Sequence, residues 1–165
     1  MRLAALISGG KDSLYATYKA SKENEIACLI TFKSKRADSY MFHIPNVDLV
    51  KLQAKSMGLP LIFVESSGIK EKELKDIKNA LSTAIKKYKI QGVVSGALAS
   101  NYQKERIDKI CLDLGIKSIA PLWHIDPKKY LKELIKNNFK AIIVGIAADG
   151  LTKEILGYEI NENFI

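Results

Sequence analysis

The sequence predicts an α/β fold: a doubly wound, Rossmann-like parallel sheet with helices on both faces. Short apolar runs without polar alternation recur along the 165 residues, which is typical of strands buried on both faces. Segments with apolar residues at helical spacing separate these runs, and right-handed helical crossovers of that kind connect parallel strands. No internal repeat or linker interrupts the pattern, so we expect one domain over residues 1–165.

Six strands are predicted, at residues 2–7, 26–32, 61–64, 92–95, 116–119 and 141–146. The intervening helices are predicted over 12–23, 45–57 and 70–89, around Ile107 to Leu114 up to Gly115, and from Pro127 onward. Residues 33–43 form a long polar loop in this interpretation, and the poorly patterned residues 147–165 form either a docking tail or the beginning of a further segment. The carboxyl ends of parallel strands share one edge of the sheet, where ligands bind. We therefore expect residues 8–13, 31–43, 66–68, 95–102 and 121–126 to converge on one crevice.

Composition narrows the functional class. No apolar stretch approaches the ~20 residues of a membrane helix, and the apolar start is too short for a signal peptide. Cys28 and Cys111 are too far apart for a CxxC pair, so a cytoplasmic protein without a membrane partner is expected.

The net charge of +8 suggests anionic partners. Residues 70–89 hold seven lysines against three acids, which indicates either a solvated helix face or a polyanion-binding face. Since Tyr88 is the one aromatic residue among these lysines, the segment lacks the stacking platform of a single-strand binder, and nucleic acid is disfavoured.

The chemistry is concentrated in the segment Ser8-Gly9-Gly10-Lys11-Asp12-Ser13, between the first strand and the first helix. Two glycines allow a tight turn close to a ligand, and the helix that follows favours an anion at its N-terminus. Ser8 and Ser13 add hydroxyl groups, Lys11 adds a charge suited to phosphate, and Asp12 could cap the helix or hold a phosphate-bound Mg²⁺. A plain glycine-rich turn is the alternative, but this order of residues favours phosphate binding.

Two familiar phosphate motifs do not fit. A Walker A loop needs glycine where Ala5 stands, and a dinucleotide fingerprint needs a further glycine after the pair. The segment instead resembles the pyrophosphate loop of the N-type ATP pyrophosphatases, which have an adenine nucleotide alpha hydrolase-like fold and cleave ATP between its α and β phosphates.

The resemblance extends over essentially the whole chain to the diphthine–ammonia ligase family. It rests on Ser39 to His43, Asn46, Leu52 to Ala54, Gly58 to Pro60, Gly92, Ser95 to Ser100, Tyr102, Gln103, Arg106, Ala120 to Trp123, Gly150, Leu151, Leu156 and Gly157. It implies that ATP and ammonium convert diphthine on translation elongation factor 2 to diphthamide, through an acyl-adenylate, with release of AMP and pyrophosphate.

Family members usually continue with a C-terminal lobe. This chain has no Gly-Gly pair after Gly10, so we expect that lobe to be absent or truncated.

The resemblance also implies roles for individual residues. The segment from Ser8 to Ser13 would hold the β and γ phosphates, with Asp12 beside Mg²⁺ and Lys11, Asp12, Ser13 and Arg106 as the catalytic set. Arg106 would reach the leaving pyrophosphate, or else be an ordinary surface arginine. The adenine would lie near Thr31, Phe32, Gly96 and Ala97, although core packing is the alternative for Thr31 and Phe32.

Diphthine carries a trimethylammonium group, and quaternary cations favour aromatic faces. The substrate would therefore contact Tyr40, His43, Tyr102, Gln103 and Trp123, with the aromatic residues as a box. Ordinary hydrophobic packing is the alternative for Trp123, and for His43 the alternative is a structural role at the start of the next helix.

No glutaminase nucleophile is apparent, so free ammonium is the expected nitrogen source. A tRNA-modifying ATP pyrophosphatase and a non-catalytic ATP- or AMP-binding module stay open as alternatives, and the sequence admits a homo-oligomer.

Overall fold

Strands and helices alternate along the chain, as predicted. The computed structural model describes residues 1–35, 47–69, 72–146 and 152–165. Within these ranges the elements are β1 (Arg2–Leu6), α1 (Lys11–Ser21), β2 (Glu25–Ser34), α2 (Val50–Met57), β3 (Leu61–Ser66), α3 (Lys72–Tyr88), β4 (Gly92–Val94), α4 (Asn101–Asp113), β5 (Lys117–Ile119) and α5 (Pro127–Lys136). Short 3₁₀ turns occur at Val47–Leu49, Lys153–Ile155 and Glu162–Phe164.

The five strands form one sheet in the order β3-β2-β1-β4-β5, and every neighbouring pair is parallel. The chain runs from β1 outward to β3, crosses back, and continues from β4 outward to β5. The direction of winding therefore reverses between β1 and β4. Such a switch point leaves a crevice at the carboxyl ends of the two strands. The predicted fold class is confirmed.

One face of the sheet is covered by α3 and α4. Their apolar side chains form a single buried cluster with residues of the strands: Ala4, Cys28, Ile30, Phe32, Val93, Ile77, Leu81, Ala84, Ile107, Ile110 and Cys111 belong to it. Right-handed crossovers place α1 and α2 on the opposite face, where Tyr15, Ala16, Val50 and Ala54 are buried. The lysines of α3 lie on its exposed side, as the solvated-face interpretation predicts.

The chain divides into two compact units, Met1–Trp123 and His124–Ile165. The first contains the sheet with α1 to α4. In the second, α5 begins at Pro127 after Asp126, whose Oδ1 accepts a hydrogen bond from the Lys129 N–H at 2.8 Å. The expectation of one nucleotide-binding domain over the whole chain stays a prediction.

The predicted sixth strand, at residues 141–146, is wrong as a member of the sheet. In the second unit this segment makes an isolated antiparallel bridge between Ile142 and Glu159. The Ile143 N–H donates to the Tyr158 oxygen at 3.0 Å, and the Ile160 N–H donates to the Ala141 oxygen at 2.8 Å. The apolar run pairs with a later segment that has no strand signature of its own. The docking-tail interpretation of residues 147–165 is not tested, and residues 147–151 lie outside the described ranges.

Among the described helices, none has both the length and the apolar character needed to cross a lipid bilayer.

Candidate functional site

The predicted phosphate loop connects β1 to α1 in a closed turn. The Ile7 N–H continues the strand pairing by donating to the Ile30 oxygen at 2.9 Å. Gly9 then takes a φ of +85°, a conformation that favours glycine over any residue with a Cβ atom. Gly10, in an extended conformation, is the N-cap of α1, and its position carries no capping side chain. The N-terminal end of α1, which favours negative charge, therefore faces this loop.

Ser13 ties the two halves of the loop together. Its hydroxyl donates to the Gly10 oxygen at 3.1 Å and accepts from the Ser8 N–H at 3.2 Å. A 3.3 Å contact joins the two serine hydroxyl oxygens. Because Ser13 has one hydroxyl proton and gives it to Gly10, the proton in this contact comes from Ser8. A phosphate oxygen that takes a bond from either hydroxyl must displace one of these loop contacts.

Lys11 and Asp12 form an ion pair beside the loop. Lys11 Nζ lies 2.6 Å from Asp12 Oδ1, and the two side chains are 30% and 35% exposed. The described residues contain no cluster of three or more His, Cys, Asp or Glu side chains that could hold a metal unaided. One carboxylate with neighbouring hydroxyl groups does suit Mg²⁺, which binds few protein ligands and completes its shell with phosphate oxygens and water. Asp12 thus fits the predicted metal role.

The loop after β4 contacts the start of α1 directly at Gly96. A Cβ atom on Gly96 would lie 2.6 Å from the Ser13 nitrogen, 2.7 Å from the Ser13 Cα and 2.8 Å from the Asp12 carbonyl carbon. Those neighbours are backbone atoms of the first helical turn, which cannot rotate away as a flexible side chain would. Glycine at position 96 is therefore what allows the β4–α4 loop to approach the phosphate loop.

A cavity of about 330 Å³ opens between these two loops, at the switch point between β1 and β4. Its lining has an apolar part, which we call the floor, and a part with hydroxyl, amide, carboxylate and ammonium groups, which we call the rim. The floor comprises Leu6, Ile7, Ile30, Phe32, Ile77, Ala97, Leu98, Ala99 and Ile107, and the rim comprises Ser8, Asp12, Ser13, Ser95, Gly96, Ser100, Gln103 and Lys104. An apolar floor suits an aromatic base, and a polar rim beside a helix N-terminus suits phosphates.

The structure brings about half of the predicted site residues to this cavity. Those that line it are Ser8, Asp12, Ser13, Phe32, Gly96, Ala97 and Gln103. Seven others lie in the same unit without lining it: Gly9, Gly10, Lys11, Thr31, Tyr102, Arg106 and Trp123. Gly9, Gly10 and Lys11 nevertheless belong to the loop that forms the rim. Tyr40 and His43 lie outside the described residues.

The Thr31 side chain lies on the face of β2 opposite to the cavity. Side chains along a strand alternate between the faces of the sheet, and Ile30 and Phe32 on either side of Thr31 both line the cavity. The Thr31 side chain is fully buried, and within the described part of the chain its hydroxyl has no hydrogen-bond partner. A direct side-chain contact with a ligand in the cavity therefore falls to Phe32 rather than to Thr31.

Tyr102 and Arg106 engage each other along α4. The Arg106 guanidinium lies 3.4 Å from the centroid of the Tyr102 ring, and its Nη1 donates to the Tyr102 carbonyl oxygen at 3.3 Å. Similarly, Lys104 Nζ lies 5.5 Å from the Trp123 ring centroid. Each of these two aromatic rings thus already has a protein cation over one face, so a substrate cation would have to use another face or displace it.

Sequence reasoning missed Lys104 as a rim residue, and it placed Ser100 in the crevice, within residues 95–102, without giving it a role. Ser100, Gln103, Lys104 and Ile107 are spaced at intervals of three and four, which places them on one face of α4. That spacing was available in the sequence and would have separated these four from Tyr102 and Arg106. Residues 66–68, and from the predicted segment 121–126 the residues 121–123 of the first unit, do not line the cavity. They follow β3 and β5, which are the edges of the sheet. Each edge is two strand spacings from its centre, or roughly 10 Å.

Asp108 holds the Lys104 ammonium group in place. The two side chains form an ion pair within α4. Burial acts to raise the pKa of the Asp108 carboxyl, but hydrogen bonds with Lys104 and Ser118 outweigh it, so this pKa lies below its ordinary value. The carboxylate stays ionised, and the rim of the cavity keeps a fixed cation.

Both cysteines are buried thiols. Burial raises the pKa of Cys28 to about 11. Burial and the nearby Asp108 charge raise the pKa of Cys111 to about 11. Since the thiolate is the reactive form of cysteine, neither side chain is suited to act as a nucleophile near neutral pH.

The sheet order and the loop at its switch point define an α/β protein of the adenine nucleotide alpha hydrolase-like kind. The chain superposes on a predicted subunit of tRNA methyltransferase from Methanocaldococcus jannaschii with a TM-score of 0.51, at 20% identity, covering 91% of this chain and 82% of that one. It superposes on the U34-tRNA thiolase from Methanococcus maripaludis with the same TM-score, at 14% identity, covering 92% of this chain and 62% of that one. At these identities the likeness establishes the fold alone.

Residues 1–118 match the family described as the diphthamide synthase N-terminal domain, and the chain belongs to that family. It is 34% identical to the diphthine–ammonia ligase of Mus musculus over 173 residues and 31% identical to that of Homo sapiens. These alignments cover 92% of this chain and 64% of each relative. The corresponding protein of Schizosaccharomyces pombe is 28% identical, with 98% of this chain and 30% of the relative covered.

Proposed function

We propose that the chain binds MgATP at the switch-point cavity and takes part in the ATP-dependent amidation of diphthine on elongation factor 2. The observation that carries this proposal is the cavity itself. Its apolar floor and polar rim adjoin a glycine-rich loop at the N-terminus of α1. Membership of the diphthamide synthase family supports the same substrate, and the chain spans 64% of the length of the mouse and human relatives.

The β and γ phosphates would bind to the loop from Ser8 to Ser13. The helix N-terminus, the two hydroxyl groups and the Lys11 ammonium would neutralise their charge. Asp12 would hold a phosphate-bound Mg²⁺, which supplies further charge neutralisation when bound. Lys11 and Asp12 already form an ion pair in this loop, and both charges would lie beside the phosphates bound there.

The adenine would occupy the apolar floor, against Phe32 and beside Gly96 and Ala97. Phe32 is 6% exposed and packs in the cluster formed with α3 and α4. The faces of a base packed there would lose contact with water, and the polar atoms of its edge would take hydrogen bonds from neighbouring backbone groups. Thr31 would contribute through the backbone of β2 only.

The chemistry would consist of two transfers. A carboxylate oxygen of diphthine attacks the α phosphorus of ATP, and the bond to the bridging oxygen breaks, so that an acyl-adenylate forms and pyrophosphate leaves. Ammonia, from ammonium that has lost a proton to water, then attacks the acyl carbon, and AMP leaves with the electron pair of the carbon–oxygen bond. The nitrogen releases a second proton to water, which leaves the neutral amide. The protein's contribution would be to orient the reactants and stabilise the phosphate charge.

Ammonium is the nitrogen donor that suits this chain. A glutaminase or persulfide route needs a reactive thiolate, and the pKa of both cysteines is raised to about 11. Arg106 would assist departure of pyrophosphate if its side chain leaves Tyr102.

The proposed contacts for diphthine are Tyr102, Gln103 and Trp123, together with Tyr40 and His43. Gln103 has the most direct support because it lines the cavity.

The deciding experiment incubates the full chain with MgATP, ¹⁵N-ammonium and elongation factor 2 that carries diphthine. AMP and pyrophosphate formed only with the factor, together with ¹⁵N in its modified histidine, would support the ligase. Tight ATP binding without pyrophosphate release would favour a nucleotide-binding module. Steeply salt-dependent tRNA binding, with pyrophosphate released only in its presence, would favour a tRNA-modifying enzyme.

A further inference from the structure

The peptide unit between Gly9 and Gly10 is held from a distant part of the chain. Gln53 on α2, 44 residues away in sequence, donates from Nε2 to the Gly9 carbonyl oxygen at 3.2 Å. A carbonyl oxygen can only accept a hydrogen bond, so the nitrogen of the Gln53 amide must face it. This contact joins α2 to the centre of the phosphate loop.

This hydrogen bond also determines where the next N–H group points. The C=O of one residue and the N–H of the next point in opposite directions across a trans peptide, and the described part of the chain contains no cis peptide bond. With the Gly9 oxygen held toward α2, the Gly10 N–H is turned away from α2. Gly10 is exposed and caps α1, so its N–H faces the side of the loop from which an anion approaches.

The net stability of the fold gives little reason for an amide at position 53. Gln53 Oε1 is buried and has no hydrogen-bond partner within the described residues. A buried acceptor without a partner costs free energy of the same order as one hydrogen bond contributes, so it offsets the bond from Nε2 to the Gly9 oxygen. Local choices that conflict with stability are expected at functional sites.

We propose that Gln53 is a positioning residue for nucleotide binding: by holding the Gly9 carbonyl it orients the Gly10 N–H toward a phosphate oxygen. The inference rests on the proposed function, since it takes the triphosphate to be the ligand of this loop. It adds α2 to the elements that shape the phosphate site, beside α1 and the β4–α4 loop.

The first test replaces the amide by an isosteric apolar group. Gln53→Met keeps the side-chain length and removes the donor. Calorimetric titration of the full chain with MgATP should show a Kd raised roughly three- to tenfold, the effect of one hydrogen bond. The melting temperature should stay unchanged or rise, because the unmatched Oε1 is removed as well. Lys55→Met, at an exposed position of the same helix, is the matched control and should keep the wild-type Kd.

A second variant tests the direction of the hydrogen bond. In Gln53→Glu the ionised carboxylate cannot donate to Gly9, but the protonated acid can, and partial burial raises the pKa of such a group. The Kd of Gln53→Glu for MgATP, divided by the wild-type value at the same pH, should therefore fall from pH 8 to pH 5.5. A purely structural side chain would not produce this trend.

The outcomes separate the two proposals. If the wild-type chain does not bind MgATP, the proposed function and this inference both fail. If the wild type binds MgATP and Gln53→Met binds it equally well, or if Gln53→Met only lowers the melting temperature, Gln53 has a structural role and the inference alone is overturned.

Discussion

Ser13 makes three polar contacts through one oxygen atom, to the Ser8 N–H, the Ser8 hydroxyl and the Gly10 carbonyl. Its single proton and two lone pairs are then all in use. The loop is thus preorganised before a nucleotide is present. The sequence motif predicted Ser13 as a phosphate ligand; the structure adds that the same hydroxyl stabilises the conformation of the loop.

Replacing Ser13 by alanine should therefore weaken MgATP binding by about tenfold, since the loop loses its closing contacts and the nucleotide loses a donor. Isothermal titration calorimetry measures this directly. Ser21→Ala removes an exposed hydroxyl that donates to the Tyr18 oxygen at the other end of α1, and it should leave the affinity unchanged. An unaltered Kd in Ser13→Ala would argue against the loop as the phosphate site.

The two cysteines should make stability depend on alkaline pH. Their pKa is raised from 9.0 to about 11 in the folded chain, so between pH 9 and pH 11 the unfolded state loses protons that the folded state keeps. The cysteine contribution to stability is complete below pH 9 and is lost as the pH rises toward 11. Urea unfolding at several pH values should show a shallower decline for the Cys28→Ala/Cys111→Ala variant than for the wild type. Equal slopes would mean that burial does not shift these thiols.

At the scale of single elements, most helices and strands follow from local pattern. The sequence predicts β1 to β5, α1, α3 and the start of α5 near their observed bounds, because apolar runs and helical spacing are local properties. It placed α4 only around Ile107 to Leu114, whereas that helix begins at Asn101, and α2 begins at Val50 rather than at residue 45. The segment 141–146 shows where this fails. Its apolar run indicated a sixth sheet strand, yet it pairs antiparallel with Glu159 in the second unit. The local hydrophobic pattern indicates that a segment is buried or paired in the fold, but it does not indicate the partner.

The contact between the β4–α4 loop and α1 predicts a specific defect. Gly96→Ala places a Cβ atom 2.6 to 2.8 Å from backbone atoms of Asp12 and Ser13, so the first turn of α1 must shift. We expect MgATP affinity to fall by about tenfold or more, because misplacement of binding groups by a fraction of an ångström is costly. Titration calorimetry checks the affinity and urea unfolding checks the fold.

Gly145→Ala is the matched control for this change. A Cβ atom at position 145 meets no atom of the described residues within 4 Å, and the backbone there is not in the left-handed region. That variant should bind MgATP like the wild type and be equally or slightly more stable. If Gly96→Ala behaved in the same way, close approach of the two loops would not matter for the site.

At the scale of the whole molecule, all residues that line the cavity belong to the unit Met1–Trp123. The unit His124–Ile165 contains α5 and the bridge between Ile142 and Glu159. Relatives extend well beyond the aligned region. Nucleotide binding is accordingly proposed for the first unit, which also contains the proposed diphthine contacts Tyr102, Gln103 and Trp123.

Hydrogen exchange should reveal this division. Saturating MgATP should slow amide exchange in the loop before α1 and at the start of α4, since binding stabilises the conformation that binds. Exchange in α5 should change little. Mass spectrometry of peptides from the chain with and without MgATP measures both, with magnesium alone as the control. Protection confined to α5 would place the nucleotide elsewhere.

The sequence by itself determined the alternation of strands and helices and the chemistry of the phosphate loop, because hydrophobic period and turn residues act over a few neighbouring positions. Only the tertiary structure decided which strands lie at the centre of the sheet, and so which loops reach the cavity. It also decided that Gly96 and Gln53 shape the loop from 44 or more positions away. The physical reason is that strand order and close backbone approach depend on long-range packing, of which a local segment carries no record.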